Sequence, residues 1–386
     1  MTSPSSPTLH WLGTGLSSPP GLKHLAKQGL KLNVWNRTVS KAETALGDAN
    51  QANVDVLPLS MKRLSETITH GDIVISMLPA MLHIEIAELC LKNHAHLITA
   101  SYLSEEMQCF DKQASSAGLC FVNEVGLDPG LDHLLAYEAV QRFRETPHWD
   151  DPNASVRFQS LCGGLSEVPN EFCYRFSWSP LGVLKALRTP AQFKKEGQAQ
   201  STKQPWTQTE SVEIHSEQFE AYPNRDSLPF ITNYGLDQGA FQLDTFVRGS
   251  LRLNGWRAAW QPIFQKIPVA SDEELTSLSQ SLWEKHALES NENDRVVLWV
   301  SLESRSTSHG TWHHQSLIDH VGDQADSAMA RLVSLPVAYT AQSILNKRLL
   351  PGVTCAPKTA KERNQIFGSL SQAGVELKQS VSWSKD

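Results

Sequence analysis

Over the first third of this 386-residue chain, short apolar runs alternate with amphipathic ones, and few folds accept that rhythm. "TLHWLG", "KLNVWN", "DIVISMLP", "AHLITAS" and "LCFVNEVG" read as buried strands. Between them "GLKHLAKQG", the segment from Ser40 to Leu46, "HIEIAELCLKN" and "EEMQCFDKQASSAG" carry helical spacing. Such alternation predicts an α/β fold: a Rossmann-like doubly wound parallel sheet with helices on both faces. After Ala136 the pattern changes. "ASVRFQSLCGG", "FCYRFSWSP", "SVEIHS", "FEAYP" and "RVVLWVSLES" read as strands of a second α/β domain with a mixed sheet. "KKEGQAQSTKQPWTQTE" reads as a loop, and residues 238–289 as a small helical insertion. "DSAMARLVSLPVAYTAQSILNKRLLPG" predicts a long apolar helix, bent by Pro336 and ended before Pro351. The expected organisation is a Rossmann domain over 1–130 completed by 326–386, with the second domain over 131–325.

The net charge of −7 argues against nucleic acid or an anionic membrane surface as partner, since both select basic patches. No apolar run reaches the length of a bilayer span. "MTSPSSPTLHWLGTG" lacks the basic and apolar regions of a secretory signal. The six cysteines are scattered without CxxC spacing, which suits a reducing cytoplasm. "SHGTWHHQSLIDH" is rich in histidine, but His313 and His314 would face opposite sides of a strand, so no metal is expected.

"WLGTGLSSPPG" stands where a first strand would meet a first helix. Gly13 and Gly15 match the first two glycines of G-x-G-x-x-G, one for the tight turn and one for approach of backbone to a pyrophosphate. Ser18 holds the third position, predicting looser packing there, and free N–H groups at the helix start would favour a phosphate. The second strand ends in Asn36-Arg37-Thr38, at the ribose-reading spacing. An arginine with two short polar groups suits the 2′-phosphate of NADP(H) better than NAD(H). Further on, "NEVGLDPGLDHLLA" leaves a strand through a Pro/Gly-pinned turn carrying Asp128. Taken alone, each of these also has a plain structural reading: a simple strand–helix turn, a solvated loop arginine and a pinned turn.

Together with "GTGLSSPP", "NRT", "ISMLP", "TASYLS", "LCGGL", "YRFSWSPLGVLKALR", "YPNRDS", "RGSLR" and "SAMARLVSLPVAYTAQSIL", the blocks resemble, in order along nearly the whole chain, the saccharopine dehydrogenase family, in its NADP-dependent, L-glutamate-forming branch. The resemblance implies oxidation of the secondary amine of saccharopine by NADP, giving an imine that water converts to L-glutamate and 2-aminoadipate 6-semialdehyde. It implies that Gly13, Thr14, Gly15, Leu16 and Ser17 wrap the pyrophosphate, with Asn36, Arg37 and Thr38 on the ribose phosphate. Leu78, Ala100 and the Leu127-Asp128-Pro129 backbone would line the nicotinamide half, with Ser179 beside it. Ser101, Tyr102, Asp128, Arg225, Ser250, Leu251 and Arg252 would bind substrate, and Tyr102, Asp128 and Cys162 would handle protons. A homodimer is left open.

The chain also departs from the family pattern. Pro58 stands where an aspartate is expected near the adenine, Ser250 replaces a threonine, and the stretch from Cys162 to Trp178 is shortened. Two rivals stay open: a carboxynorspermidine- or other opine-type dehydrogenase, and a non-catalytic NADP-binding sensor. Retention of Arg225 and Arg252 favours a substrate with several carboxylates.

Overall fold

The first strands are apolar on both faces because both faces are covered. β1 (Leu9–Leu12) and β4 (Ile73–Ser76) are buried at every position, the pattern of a parallel sheet between helical layers. The structure is a computed structural model that describes residues 6–49, 51–289 and 291–384. The first five residues, on which the expectation about a secretory signal partly rests, lie outside the described residues.

Between β1 and β4 come α1 (Pro19–Ala26), β2 (Leu32–Asn36), α2 (Val39–Leu46), β3 (Val54–Pro58) and α3 (Met61–Thr67). After them follow α4 (His83–Lys92), β5 (His96–Thr99), α5 (Glu105–Gln108), α6 (Asp111–Ser116) and β6 (Cys120–Val122). The single helix expected over 105–118 is thus two short ones. α7 (Leu131–Arg144) leads to β7 (Ser155–Ser166), α8 (Pro180–Arg188), β8 (Ala191–Lys195), β9 (Gln198–Thr202), β10 (Glu210–Ile214), β11 (Glu217–Pro223), α9 (Pro229–Tyr234) and β12 (Gln242–Leu253). Three helices, α10 (Trp256–Ala259), α11 (Gln261–Lys266) and α12 (Asp272–His286), precede the long hairpin of β13 (Asp294–Ser306) and β14 (Gly310–Val321). The chain ends with α13 (Ala328–Leu345), β15 (Gly352–Thr354), α14 (Ala360–Gln372) and β16 (Leu377–Ser384).

These elements form two compact units. One holds the chain up to Leu134 together with Met329–Ala373; the other holds Leu135–Ala328 and the chain from Gly374 on. The first unit contains a seven-stranded parallel sheet in the order β15-β6-β5-β4-β1-β2-β3. The second contains a mixed sheet in which β10-β11-β12-β7-β13-β14-β16 are neighbours, with β8 and β9 attached to β12. Its β12–β7 pair is parallel and its other ladders antiparallel. An aromatic core of Tyr174, Phe176, Trp206, Tyr222, Trp256, Trp260 and Phe264 fills the space between this sheet and helices α8 and α10–α12. None of the described helices is long and apolar enough to cross a membrane.

Four details differ from the sequence reading. "FCYRFSWSP" forms no ladder: Tyr174 and Phe176 alternate inward as strand residues would, but they dock on helices, and only a bridge from Phe176 to Ala287 is made. The expected loop at 194–210 holds the end of β8 and all of β9, a hairpin turned through Glu196 and Gly197 at φ of 52° and 70°; β9 is polar and largely open to water, whereas β8 buries Ala191 and Phe193. β12 occupies the start of the segment expected to be helical, so the helical part is 256–286. Two buried arginines in β12 mask its strand character. Finally, the tail is divided: α13, β15 and α14 complete the first unit, but β16 pairs with β14 in the second. Helix α13 runs through Pro336 without ending.

Candidate active site

The glycine turn after β1 is held tightly. Gly13 has a φ of +90°, and a Cβ there would stand 3.0 Å from Leu78 Cδ2 and 3.2 Å from the Met77 carbonyl. Its N–H donates to the Trp35 carbonyl at 2.8 Å, while its carbonyl accepts from Trp11 Nε1 and the Ser18 hydroxyl. Gly15 faces open space, with nothing within 4 Å of a built Cβ. The close helix approach that a third glycine would allow is made instead at Gly21, where a Cβ would meet the Ser334 carbonyl of α13 at 2.1 Å.

The expectation that the helix start offers free N–H groups is not met. Pro19 and Pro20 have no N–H, and the Gly21 N–H donates to Ser334 Oγ at 2.8 Å. What remains are the loop N–H groups of Gly15, Leu16 and Ser17, which find no acceptor among the described residues. Three successive loop amides without acceptors among the described residues, beside a tight glycine turn, suit a pyrophosphate. Thr14 N–H is occupied by Asn36 Oδ1 at 3.3 Å, and Asn36 Nδ2 donates to the Thr38 carbonyl. Asn36 therefore braces two loops, and Arg37 and Thr38 stand exposed beside it. Pro58 ends the edge strand β3 opposite Asn36.

Leu78 and Ala100 follow β4 and β5, and His83 ties their loops together. Burial lowers the His83 pKa, so its ring is neutral. Nε2–H then donates to the Leu78 carbonyl at 3.1 Å, and Nδ1 accepts from the Thr99 hydroxyl. Thr99 Oγ1 in turn accepts the Ser101 N–H at 3.0 Å. Ala100 Cβ lies 3.0 Å from a Cβ built on Gly126, so the strand ends and the Gly126–Gly130 turn pack closely. In that turn the Asp128–Pro129 bond is cis, Gly126 N–H donates to the Pro129 carbonyl, and Gly130 N–H donates to Asp132 Oδ1 at 2.6 Å. The Tyr102 hydroxyl donates to Asp128 Oδ1 at 2.9 Å, both side chains being half-buried. Two of the three residues expected to move protons are thereby in contact.

Glu124, bonded to the backbone on either side of Tyr102, was not singled out by sequence reasoning. Its burial alone would raise its pKa, but contacts with His133, the Leu103 N–H and the Cys355 thiol outweigh that and hold the carboxyl below its ordinary value. Burial and the same carboxylate push the Cys355 thiol up.

In the second unit the strand register gathers a row. Ser250 pairs with Cys162 on β7 and with Tyr222 on β11, placing these three side chains on one face. Arg248 and Arg252 share that face through the two-residue repeat. Leu251 points the other way into the core and offers only its backbone, so its expected substrate contact is not through the side chain. Arg252 is 6% exposed. Its guanidinium lies 5.4 Å from the ring centroids of Tyr174, Tyr222 and Trp256, and donates to the Tyr222 hydroxyl and the Leu251 carbonyl, each at 2.8 Å. It forms no ion pair with any described residue, and its Nε lacks an acceptor among them. Burial raises the Tyr174 pKa, so that ring stays a neutral phenol and supplies no counter-charge.

Arg225 stands exposed at a φ of 57° in the loop after β11. That loop is pinned by Asn224 N–H to the Arg248 carbonyl and by Arg248 N–H to Ser227 Oγ. Ser179 caps α8, accepting the Gly182 N–H, so its hydroxyl has a structural task. The aromatic cage and Arg248 were missed; the one sequence signal was two arginines four residues apart in a strand. Among the described residues no three His, Cys, Asp or Glu side chains gather as a metal site.

A parallel sheet with a glycine turn, open amides and an arginine at the end of its second strand defines a dinucleotide-dependent oxidoreductase. Residues 9–122 match the family model described as Saccharopine dehydrogenase NADP binding domain, and residues 126–375 match Saccharopine dehydrogenase C-terminal domain. The chain belongs to the saccharopine dehydrogenase family. It is 28% identical to saccharopine dehydrogenase [NADP(+), L-glutamate-forming] of Pyricularia oryzae, over 96% of this chain and 98% of that one. It is 30% identical to the mitochondrial alpha-aminoadipic semialdehyde synthase of Mus musculus over 64% of this chain, and spans only 27% of that longer protein. Its fold matches apo histidine-tagged saccharopine dehydrogenase (L-Glu forming) from Saccharomyces cerevisiae with a TM-score of 0.81 and 23% identity, covering 97% of this chain and all of that one.

Proposed function

We propose that the protein interconverts saccharopine, NADP+ and water with L-glutamate, 2-aminoadipate 6-semialdehyde, NADPH and a proton. NADP, held by the Gly13–Ser17 loop with Arg37 at its 2′-phosphate, supplies the oxidant for the carbon of the secondary amine. Asp128 accepts a proton from the amine or the attacking water, and the Tyr102 hydroxyl steadies its carboxylate in the acceptor state. Arg252 and Arg225 take carboxylates of the amino-acid substrate.

The observation that carries this reading is Arg252: a buried cation, ringed by aromatics, with no carboxylate paired to it among the described residues. An uncompensated buried charge is costly, and an anionic ligand would relieve it. Initial rates with saccharopine and with carboxynorspermidine, each with NADP and NAD, test the substrate and cofactor together. Turnover is expected with saccharopine and NADP; preference for the substrate with fewer carboxylates would reject the reading. Arg37→Glu should lower the NADP-over-NAD ratio roughly tenfold or more by removing the phosphate partner.

A further inference from the structure

We infer that Glu124 and His133 act as a positioning pair that fixes the Tyr102–Asp128 contact. The inference rests on the proposed role of Tyr102 and Asp128 in proton handling, and identifies what sets their geometry.

Tyr102 and Asp128 come from separate segments, the loop after β5 and the turn after β6. Their bond of 2.9 Å requires that both segments be held in register. Glu124 holds the first. Its N–H donates to the Ser101 carbonyl at 3.1 Å, and its Oε1 accepts the Leu103 N–H at 2.9 Å. The two residues flanking Tyr102 are thus clamped by one glutamate. His133 links that glutamate to the second segment: its Nε2 lies 3.1 Å from Glu124 Oε2. Its own N–H donates to the Gly130 carbonyl, and its neighbour Asp132 accepts the Gly130 N–H, so the helix start grips the end of the Asp128 turn. His133 Nδ1 faces Asp132 at 3.6 Å, too far for a hydrogen bond.

Glu124, Asp132 and His133 are 5%, 0% and 1% exposed, so water is kept from the Leu103 and Gly130 hydrogen bonds and from the Glu124–His133 contact. Glu124 also adopts a φ of 57°, a left-handed conformation unfavourable for its side chain. A residue held there against its preference, by contacts to both segments, is placed to transmit position. Glu124 touches neither cofactor nor substrate in this scheme; it acts through Tyr102 and Asp128.

The test uses the full chain with saccharopine and NADP, measuring kcat, both KM values and NADP binding. Glu124→Gln removes the carboxylate facing His133 while keeping the side-chain length. It is expected to lower kcat at least tenfold with the NADP dissociation constant changed less than twofold. Adding Tyr102→Phe to Glu124→Gln should cost much less than Tyr102→Phe alone. His133→Gln, which keeps a donor for Glu124, should stay within about threefold of wild type, and His133→Ala should fall at least tenfold; this pair decides the matter should Glu124→Gln not fold. If Tyr102→Phe and Asp128→Asn leave kcat unchanged, the proton-handling assignment fails. If those two are impaired while Glu124→Gln and His133→Ala keep full kcat, or if the double variant is additive, the positioning role alone is overturned.

Discussion

Arg252 separates stability from function within one side chain. Its guanidinium is buried among Tyr174, Tyr222 and Trp256 without an anion among the described residues. Cation–π contacts and two hydrogen bonds offset part of the desolvation cost. Arg252→Met keeps the length and apolar stem but deletes the charge. Thermal unfolding should therefore occur at the same temperature or higher, while the KM for saccharopine rises roughly 100-fold, equivalent to about 2.7 kcal/mol. A lower unfolding temperature with unchanged kinetics would make Arg252 a structural residue. Sequence reasoning named Arg252 beside Ser250 but read the segment as helical, so neither its strand nor its cage was foreseen. Tyr174, Tyr222 and Trp256 come from three distant segments, brought together by the β11–β12 register and by packing in one aromatic core.

At the scale of elements, the helix after the glycine turn shows how far local pattern reaches. The strand–turn–helix rhythm is legible because burial on both faces leaves continuous apolar runs. Which glycine carries which duty is not, because that depends on what lies across from it. Ser18 fills the expected third glycine position without harm, bonding back to Gly13, and the tight contact falls on Gly21 against α13, which is more than 300 positions away in the chain. β12 was missed for a related reason: its buried arginines break the apolar alternation that marks a strand, and their burial is decided by neighbours. Two alanine substitutions should then behave oppositely. Gly21→Ala drives a methyl into the Ser334 carbonyl, separating α1 from α13 at a cost of about 2 kcal/mol or more. Gly15→Ala meets nothing in the protein and should leave the unfolding temperature unchanged, yet weaken NADP binding where the pyrophosphate approaches. Calorimetric unfolding and NADP titration of both variants check this. Equal stability for the two would contradict the close contact at Gly21.

Over the whole molecule, the chain changes unit at residues 134/135, 328/329 and 373/374. The last change is the least expected, since α13, β15 and α14 all belong to the nucleotide-binding unit and only β16 departs. β16 lies on the edge of the second sheet, mostly exposed, with every ladder bond made to β14. Its Trp383 packs near His148 and Trp312, with ring centroids 5.6 and 6.5 Å apart. Every ladder pair of β16 among the described residues is made with β14, so its energetic role belongs to the second sheet. A chain truncated after Ala373 should therefore bind NADP as tightly as the full chain. Its second unit should melt several degrees lower, since about 1 kcal/mol shifts a body of this size by roughly 2–4 °C. Saturating NADP should still raise the stability of the truncated chain, by about 2.7 kcal/mol at 100 times the dissociation constant. Loss of NADP binding on truncation would mean that the tail supports the nucleotide unit after all, and an unchanged melting profile would mean that β16 adds nothing to the sheet it borders.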